Sequence, residues 1–133
     1  MAATQASLER VFADFGIRFA YLFGSRAAGT AGAHSDADIA AMPGEDLGLL
    51  AQARLASRLA QALGAPDVDL VLLNCASLEL RGRVVQTGRL IYSANEPARV
   101  AFEVRTRAEY FDFLPTLRAL QLSYLAHVAE HGL

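Results

Sequence analysis

The chain has 133 residues, one domain's worth of protein, and at that length about two-thirds of the unfolded surface can be buried, which allows a core but not a second full domain. A net charge of −2 excludes the basic surplus of a general nucleic-acid binder, and the single Cys75 excludes an internal disulfide framework or a cysteine-based zinc site. No apolar run reaches membrane-span length and the N-terminal MAATQASLER lacks a signal-peptide pattern, so a soluble cytoplasmic protein with no membrane partner is expected.

Leu8, Val11, Phe12 and Phe15 recur at helical spacing, which predicts a helix over Thr4 to Phe15, stopped by Gly16. Ile17 to Phe23 (IRFAYLF) is β-branched and aromatic and reads as a strand. Gly24 to His34 is rich in Gly, Ala and Ser and reads as a loop. Asp36 to Met42 (DADIAAM) is a second strand, ended by Pro43 and Gly44. Glu45 to Leu63 carries a leucine stripe and reads as a long helix with Gly64 beyond its end. Asp67 to Leu73 (DVDLVLL) is a third strand. Ser77 is placed to cap a helix over Leu78 to Thr87, which Gly88 ends. Arg89 to Ser93 is a short fourth strand. Pro97 to Val128 is helical, with Pro115 expected to break or kink it. The order predicts an α/β (α+β) fold, a small mixed sheet of about four strands flanked by helices.

The chemistry is concentrated in GSRAAGTAGAHSDADIA, from Gly24 to Ala40. Side chains alternate along a strand, so Asp36 and Asp38 project from one face. Two carboxylates held about 4 Å apart repel by ~4 kcal/mol at an effective dielectric of 20. Solvent or a cation must offset that, and a hard divalent ion such as Mg²⁺ suits an all-oxygen site that also receives phosphates. Gly24 lets backbone approach a phosphate closely, Ser25 adds a hydroxyl donor, and Arg26 adds a charge-assisted contact. A third acid is expected from the DVDLVLL strand. Asp69 leads directly into the apolar run and is the first choice, with Asp67 in reserve. The plain alternatives are an ordinary Gly-Ser turn and solvated acids beside a strand. The joint spacing of Gly-Ser and Asp-x-Asp favours the functional reading.

This run resembles the signature of the minimal nucleotidyltransferases of the DNA polymerase β superfamily: Gly-Ser, ten residues, then Asp-x-Asp. VDLVLLN, ELRGRVVQTGRLIY and the Arg99-Val-Ala-Phe102-Glu103 stretch are similar to that family too, so the likeness covers most of the chain. It implies a nucleotidyltransferase (polymerase β-like) fold over 1–133, with 97–133 a C-terminal helical segment. It also implies transfer of AMP from ATP assisted by two Mg²⁺ ions, with Asp36, Asp38 and Asp69 as catalytic metal ligands and Gly24, Ser25 and Arg26 as nucleotide-binding residues. Many short members are antitoxins that adenylylate a tyrosine of a HEPN-domain ribonuclease toxin. The implied partner is such a toxin in a hetero-oligomer, without direct nucleic-acid binding. Ala28 departs from the family pattern and leaves Arg26 the only guanidinium in the loop. Two other readings are neutralisation of the toxin by binding alone and adenylyl transfer to a small molecule.

Among the remaining candidates, Cys75 reads as a small packing residue, since nothing basic flanks it. His127 and His131 read as part of a solvated helix end rather than a metal pair. The cluster Tyr110-Phe111-Asp112-Phe113-Leu114 reads equally as core or as a docking patch.

Overall fold

The computed structural model describes residues 2–24 and 36–131. The elements, in chain order, are α1 (Ala2–Asp14), β1 (Ile17–Phe23), β2 (Ala37–Pro43), α2 (Leu49–Leu63), β3 (Val68–Leu72), α3 (Leu78–Thr87), β4 (Arg89–Ser93) and α4 (Glu96–His131). The four strands form one mixed sheet in the order β3-β2-β1-β4. β1 runs antiparallel to both β2 and β4, whereas β2 and β3 are parallel. The fold is that expected from the residue pattern, four strands flanked by four helices.

Strand alternation divides the buried side chains between the two faces of the sheet. Ala20, Leu22, Ile39, Ala41 and Val68 point to one face and pack against Leu8, Val11 and Phe12 of α1 and Leu55 and Leu59 of α2. Phe19, Tyr21, Ala40 and Leu73 point to the other, under Val84 of α3 and Ala98 and Phe102 of α4. Phe102 sits on Phe19 with ring centroids 5.3 Å apart, within the range of favourable aromatic contact. Nearly every central-sheet side chain is therefore covered, and the functional groups are confined to the strand ends.

Local signals set the helix boundaries. The Ser77 hydroxyl accepts from the Leu80 amide at 3.2 Å, as expected of a cap. Asn95 does the same for α4, its side-chain oxygen accepting from the Ala98 amide at 3.1 Å. Such a cap satisfies one of the amides that a helix start leaves without an internal partner. Most boundaries fall within two or three residues of expectation, and one differs by a full turn. Helix α2 begins at Leu49 rather than Glu45, because the preceding residues are used otherwise: Asp46 accepts from the Asn74 side chain and the Leu47 carbonyl from the Gln52 side chain. Helix α4 runs through Pro115. Proline removes one amide and leaves the Phe111 carbonyl without its helical partner; Phe111 and Pro115 are both exposed, where water satisfies that carbonyl.

Helix α4 is pinned to the sheet by a polar chain. The Tyr21 hydroxyl donates to Glu103 at 2.7 Å, and Arg99 donates to the same carboxylate at 2.7 Å. Arg99 also engages both oxygens of Glu96, at 2.6 and 2.8 Å, and Ser93 at the end of β4 donates to Glu96. Bidentate arginine–carboxylate contacts are among the stronger hydrogen bonds available. Hydrogen bonds from Arg99 and Ser93 hold the Glu96 carboxyl down to about 2. Burial, and then the bond to Glu103, push the Tyr21 phenol above its ordinary range, so it remains a neutral donor.

Helices α3 and α4 cross where Gly82 meets Tyr110. A Cβ on Gly82 would come within 2.3 Å of the Tyr110 ring, against its inner carbons as well as its edge. Helix propensity favours Gly→Ala by up to about 1 kcal/mol, but overpacking against a ring held between two helices costs about 1–3 kcal/mol. The clash therefore wins. Gly82→Ala is expected to lower the melting temperature by roughly 5 °C; a higher melting temperature would show that the two helices separate freely.

Candidate active site

The site is assembled by register. β1 ends, and β2 and β3 begin, at one edge of the sheet, and Phe23, Asp38 and Asp69 occupy one rung across the three strands. Side chains on one rung of neighbouring strands share a face. Asp38 and Asp69 therefore stand side by side on the face that carries α3 and α4, beyond those helices' apolar contacts. Asp38 is half-buried, and Asp69 is exposed. Asp36 lies one residue before β2 and is exposed too.

The electrostatics follow from that placement. Burial lifts the Asp38 carboxyl above its ordinary range, and the charges of Asp69 and Asp36 lift it further, as does a hydrogen bond to Asp69. Like charges brought this close oppose ionisation of the more buried Asp38.

Gly24 lies just beyond the rung. It follows Phe23 with φ +74, and a Cβ built on it would fall 2.3 Å from Oδ2 of Asp38. Any side chain here is excluded twice, by backbone conformation and by the carboxylate. The bare α-carbon is what lets the Asp38 carboxylate reach the turn after β1. Ser25 and Arg26, expected to cradle phosphate beside Gly24, lie outside the described residues, as does Ala28.

The two candidates on β3 separate clearly. The Asp67 side chain accepts from the Val68 amide at 2.9 Å, and its carbonyl accepts from the Ala37 amide at 3.2 Å. Asp67 thus joins the starts of β2 and β3, whereas Asp69 faces Asp38. Among the described residues, no three His, Cys, Asp or Glu side chains are grouped to hold a metal by themselves. The donor set is nonetheless all carboxylate oxygen and negatively charged, and it lies against a bare α-carbon. These residues fit a hard cation that takes its other ligands from phosphate and water, the usual habit of Mg²⁺.

Other candidates lie elsewhere. Cys75 is exposed rather than packed, because it follows β3 in a turn in which its amide bonds the Leu72 carbonyl. His127 and His131 approach each other with ring centroids 4.6 Å apart, on the exposed end of α4. A cavity of about 510 Å³ lies toward the other end of the same sheet face, bounded by Arg18, Phe19, Leu73 and Phe102. It contains no carboxylate, and the reactive groups are not there. The polar chain from Tyr21 to Glu96 was not foreseen from the sequence, although the Arg99 and Glu103 spacing of one helical turn was a signal for it.

The raised Asp38 carboxyl has a consequence for stability. The folded state holds its proton to higher pH than the unfolded chain does, so stability from this group is full below the ordinary Asp range. It is lost as pH rises through the raised value. Without divalent ions, Asp38→Asn is expected to stabilise the protein at neutral pH and so raise its melting temperature. The difference should close as pH falls toward 4. Melting curves of the two proteins across pH test this, and an Asp38→Asn protein less stable than the wild type at pH 7 would contradict it.

Comparison with known proteins agrees with the geometry. The family model for polymerase beta nucleotidyltransferases matches residues 7–97. No curated protein sequence matches the chain. Solved structures similar to it include a toxin–antitoxin crystal structure with AMP-PNP, at 31% identity and a TM-score of 0.76, over 91% of this chain and 98% of that one. Another is a MntA–HepT toxin–antitoxin structure, at 28% identity and 0.73, over 94% and 99%. A third is a tri-AMPylated Shewanella oneidensis HEPN toxin in complex with MNT antitoxin, at 28% and 0.72, over 92% and 96%. With its family match extending over more than half of its length, the chain belongs to the polymerase beta nucleotidyltransferase family.

Proposed function

We propose that the protein is a Mg²⁺-dependent adenylyltransferase that moves AMP from ATP to a tyrosine hydroxyl of a HEPN ribonuclease toxin, and so acts as that toxin's antitoxin. The observation that carries this reading is the Asp38–Asp69 rung with Gly24 at the adjoining turn, in a chain similar along nearly its whole length to members of toxin–antitoxin complexes. Residues 1–133 would form one minimal nucleotidyltransferase domain, with 97–133 as its C-terminal helical segment. The acceptor then comes from another chain, and the working form is a hetero-oligomer. A cytoplasmic location belongs to the same proposal. Among the described residues no helix is long and apolar enough to cross a membrane.

Asp36, Asp38 and Asp69 would hold the metal, two ions in the full arrangement. When bound, Mg²⁺ supplies charge neutralisation for the triphosphate and polarises the reacting phosphoryl group. The chain's own residues do the rest. Gly24 leaves room for phosphate oxygens at the turn, with Ser25 and Arg26 as further donors. The acceptor hydroxyl oxygen bonds to the α-phosphorus of ATP while the bond from that phosphorus to the bridging oxygen breaks. Pyrophosphate leaves with the bonding electron pair. The hydroxyl proton passes to a carboxylate, for which Asp69 is suited because it is exposed on the reacting face. No basic surface is needed, which is consistent with a net charge of −2.

A second reading is neutralisation by binding alone, favoured by the exposed apolar residues of α4. The two readings separate in one assay. With ATP labelled at the α-phosphate, Mg²⁺ and the cognate toxin, label is expected on the toxin. Asp36→Asn and Asp38→Asn should each reduce the rate by about 10²-fold or more, as when several kcal/mol of transition-state charge stabilisation is lost. An unlabelled toxin, or equal labelling by Asp36→Asn, would overturn the catalytic reading. Full protection of cells by Asp38→Asn would favour binding.

A further inference from the structure

Helix α4 changes character along its length. Its first half places Phe102, Thr106 and Tyr110 on a single stripe against the sheet and α3. The same helical phase continues through Phe113, Leu117, Leu120, Tyr124 and Val128, but α4 makes its main contacts with α3 and β1 only. The second half is also apolar off that stripe. Phe111, Leu122 and Leu125, off the stripe, are 62%, 67% and 60% exposed, and Leu120 and Tyr124, on it, are 60% and 58% exposed. Leu120 and Leu122 point about 160° apart at 3.6 residues per turn. From Phe111 to Ala129 the only formal charges, with His neutral, are Asp112 and Arg118.

A helix that is apolar all round is a buried helix, and this one is bare within its own chain. Two copies of α4 laid side by side would cover one flank of each and leave either Leu120 or Leu122 in water. A membrane surface would demand a cationic polar face opposite the apolar one, and α4 has none. The five exposed side chains alone offer roughly 500 Å² of apolar area, about 1,000 Å² with the matching surface of a partner, which meets the lower threshold of about 1,000 Å² for a biological interface before any other contact is counted.

We propose that the second half of α4, from Phe111 to Val128, is the docking element for the protein acceptor, clasped in an uncharged apolar groove with two walls such as adjacent helices of that partner provide. This rests on the reading of the protein as an enzyme with a protein substrate, and adds where that substrate is held. Docking on α4 and chemistry at Asp38 are then separate functions on separate elements.

The test uses the full chain, the cognate toxin and two exposed substitutions on opposite flanks, Leu120→Glu and Leu122→Glu, with unchanged melting temperatures as the folding control. Each is expected to weaken the complex at least tenfold by calorimetry. Each should also raise KM for the toxin without lowering kcat or changing the affinity for ATP with Mg²⁺. Weakening by Leu120→Glu alone would overturn the two-walled groove. A wild-type dimer that Leu120→Glu converts to monomer, with toxin affinity intact, would assign α4 to a second copy and overturn the proposal. Failure of the wild type to label bound toxin would instead count against adenylyl transfer, and the binding arm would still decide the role of α4.

Discussion

A carboxylate packed against backbone and beside a second carboxylate needs something to offset its charge, and Asp38 is held in that position. The antiparallel register of β1 and β2 brings it to the turn after Phe23, the parallel register of β2 and β3 sets Asp69 next to it, and the bare α-carbon of Gly24 admits its oxygen. Each of these is a backbone constraint, fixed by apolar residues at some distance. Ala20, Leu22, Ile39 and Ala41 set which side chains face which way; a slip of one residue would turn Asp38 into the α1–α2 core and Ile39 into the site. The hydrophobic pattern thus aims the acids.

The rest of the molecule keeps that edge of the sheet open while covering everything else. Helices α1 and α2 seal one face, and α3 with the first half of α4 seals the middle of the other. The seal on the second face is partly polar. Tyr21 belongs to β1 yet bonds Glu103 of α4, and Arg99 links Glu103 to Glu96 at the start of the helix. These groups order α4 relative to the strand that ends at Phe23. The same strand therefore positions both the reactive edge and the helix proposed to receive the acceptor.

Much of this was legible in the residues. The boundaries of β1, α3 and β4 followed from β-branched runs, the Ser77 cap and the flanking glycines. The acids were found because their spacing from Gly-Ser made little sense as ordinary turn chemistry. Asp69 was preferred to Asp67 only because it leads directly into the apolar run. The two share a strand face by count; the register sets Asp69 beside Asp38, and the Asp67 side chain bonds the next amide. Pro115 does not break α4, because a proline rule describes a cost and not a prohibition. At an exposed position water can take the freed carbonyl. Within Tyr110 to Leu114 the core reading holds for Tyr110, which fits over Gly82, while Phe111 stands in solvent. Tertiary contacts of this kind, like the Tyr21–Glu103 bond across 82 residues of chain, leave no periodic trace in a sequence.

The account turns on whether the Asp38–Asp69 pair is a cation site. Binding of Mn²⁺ in the presence of a non-hydrolysable ATP analogue, followed by its electron paramagnetic resonance signal, reads this without any acceptor or turnover. Asp38→Asn and Asp69→Asn are each expected to weaken Mn²⁺ binding at least tenfold relative to the wild type, while Asp67→Asn leaves it unchanged. Equal Mn²⁺ affinity in the wild type and both site variants would contradict the account.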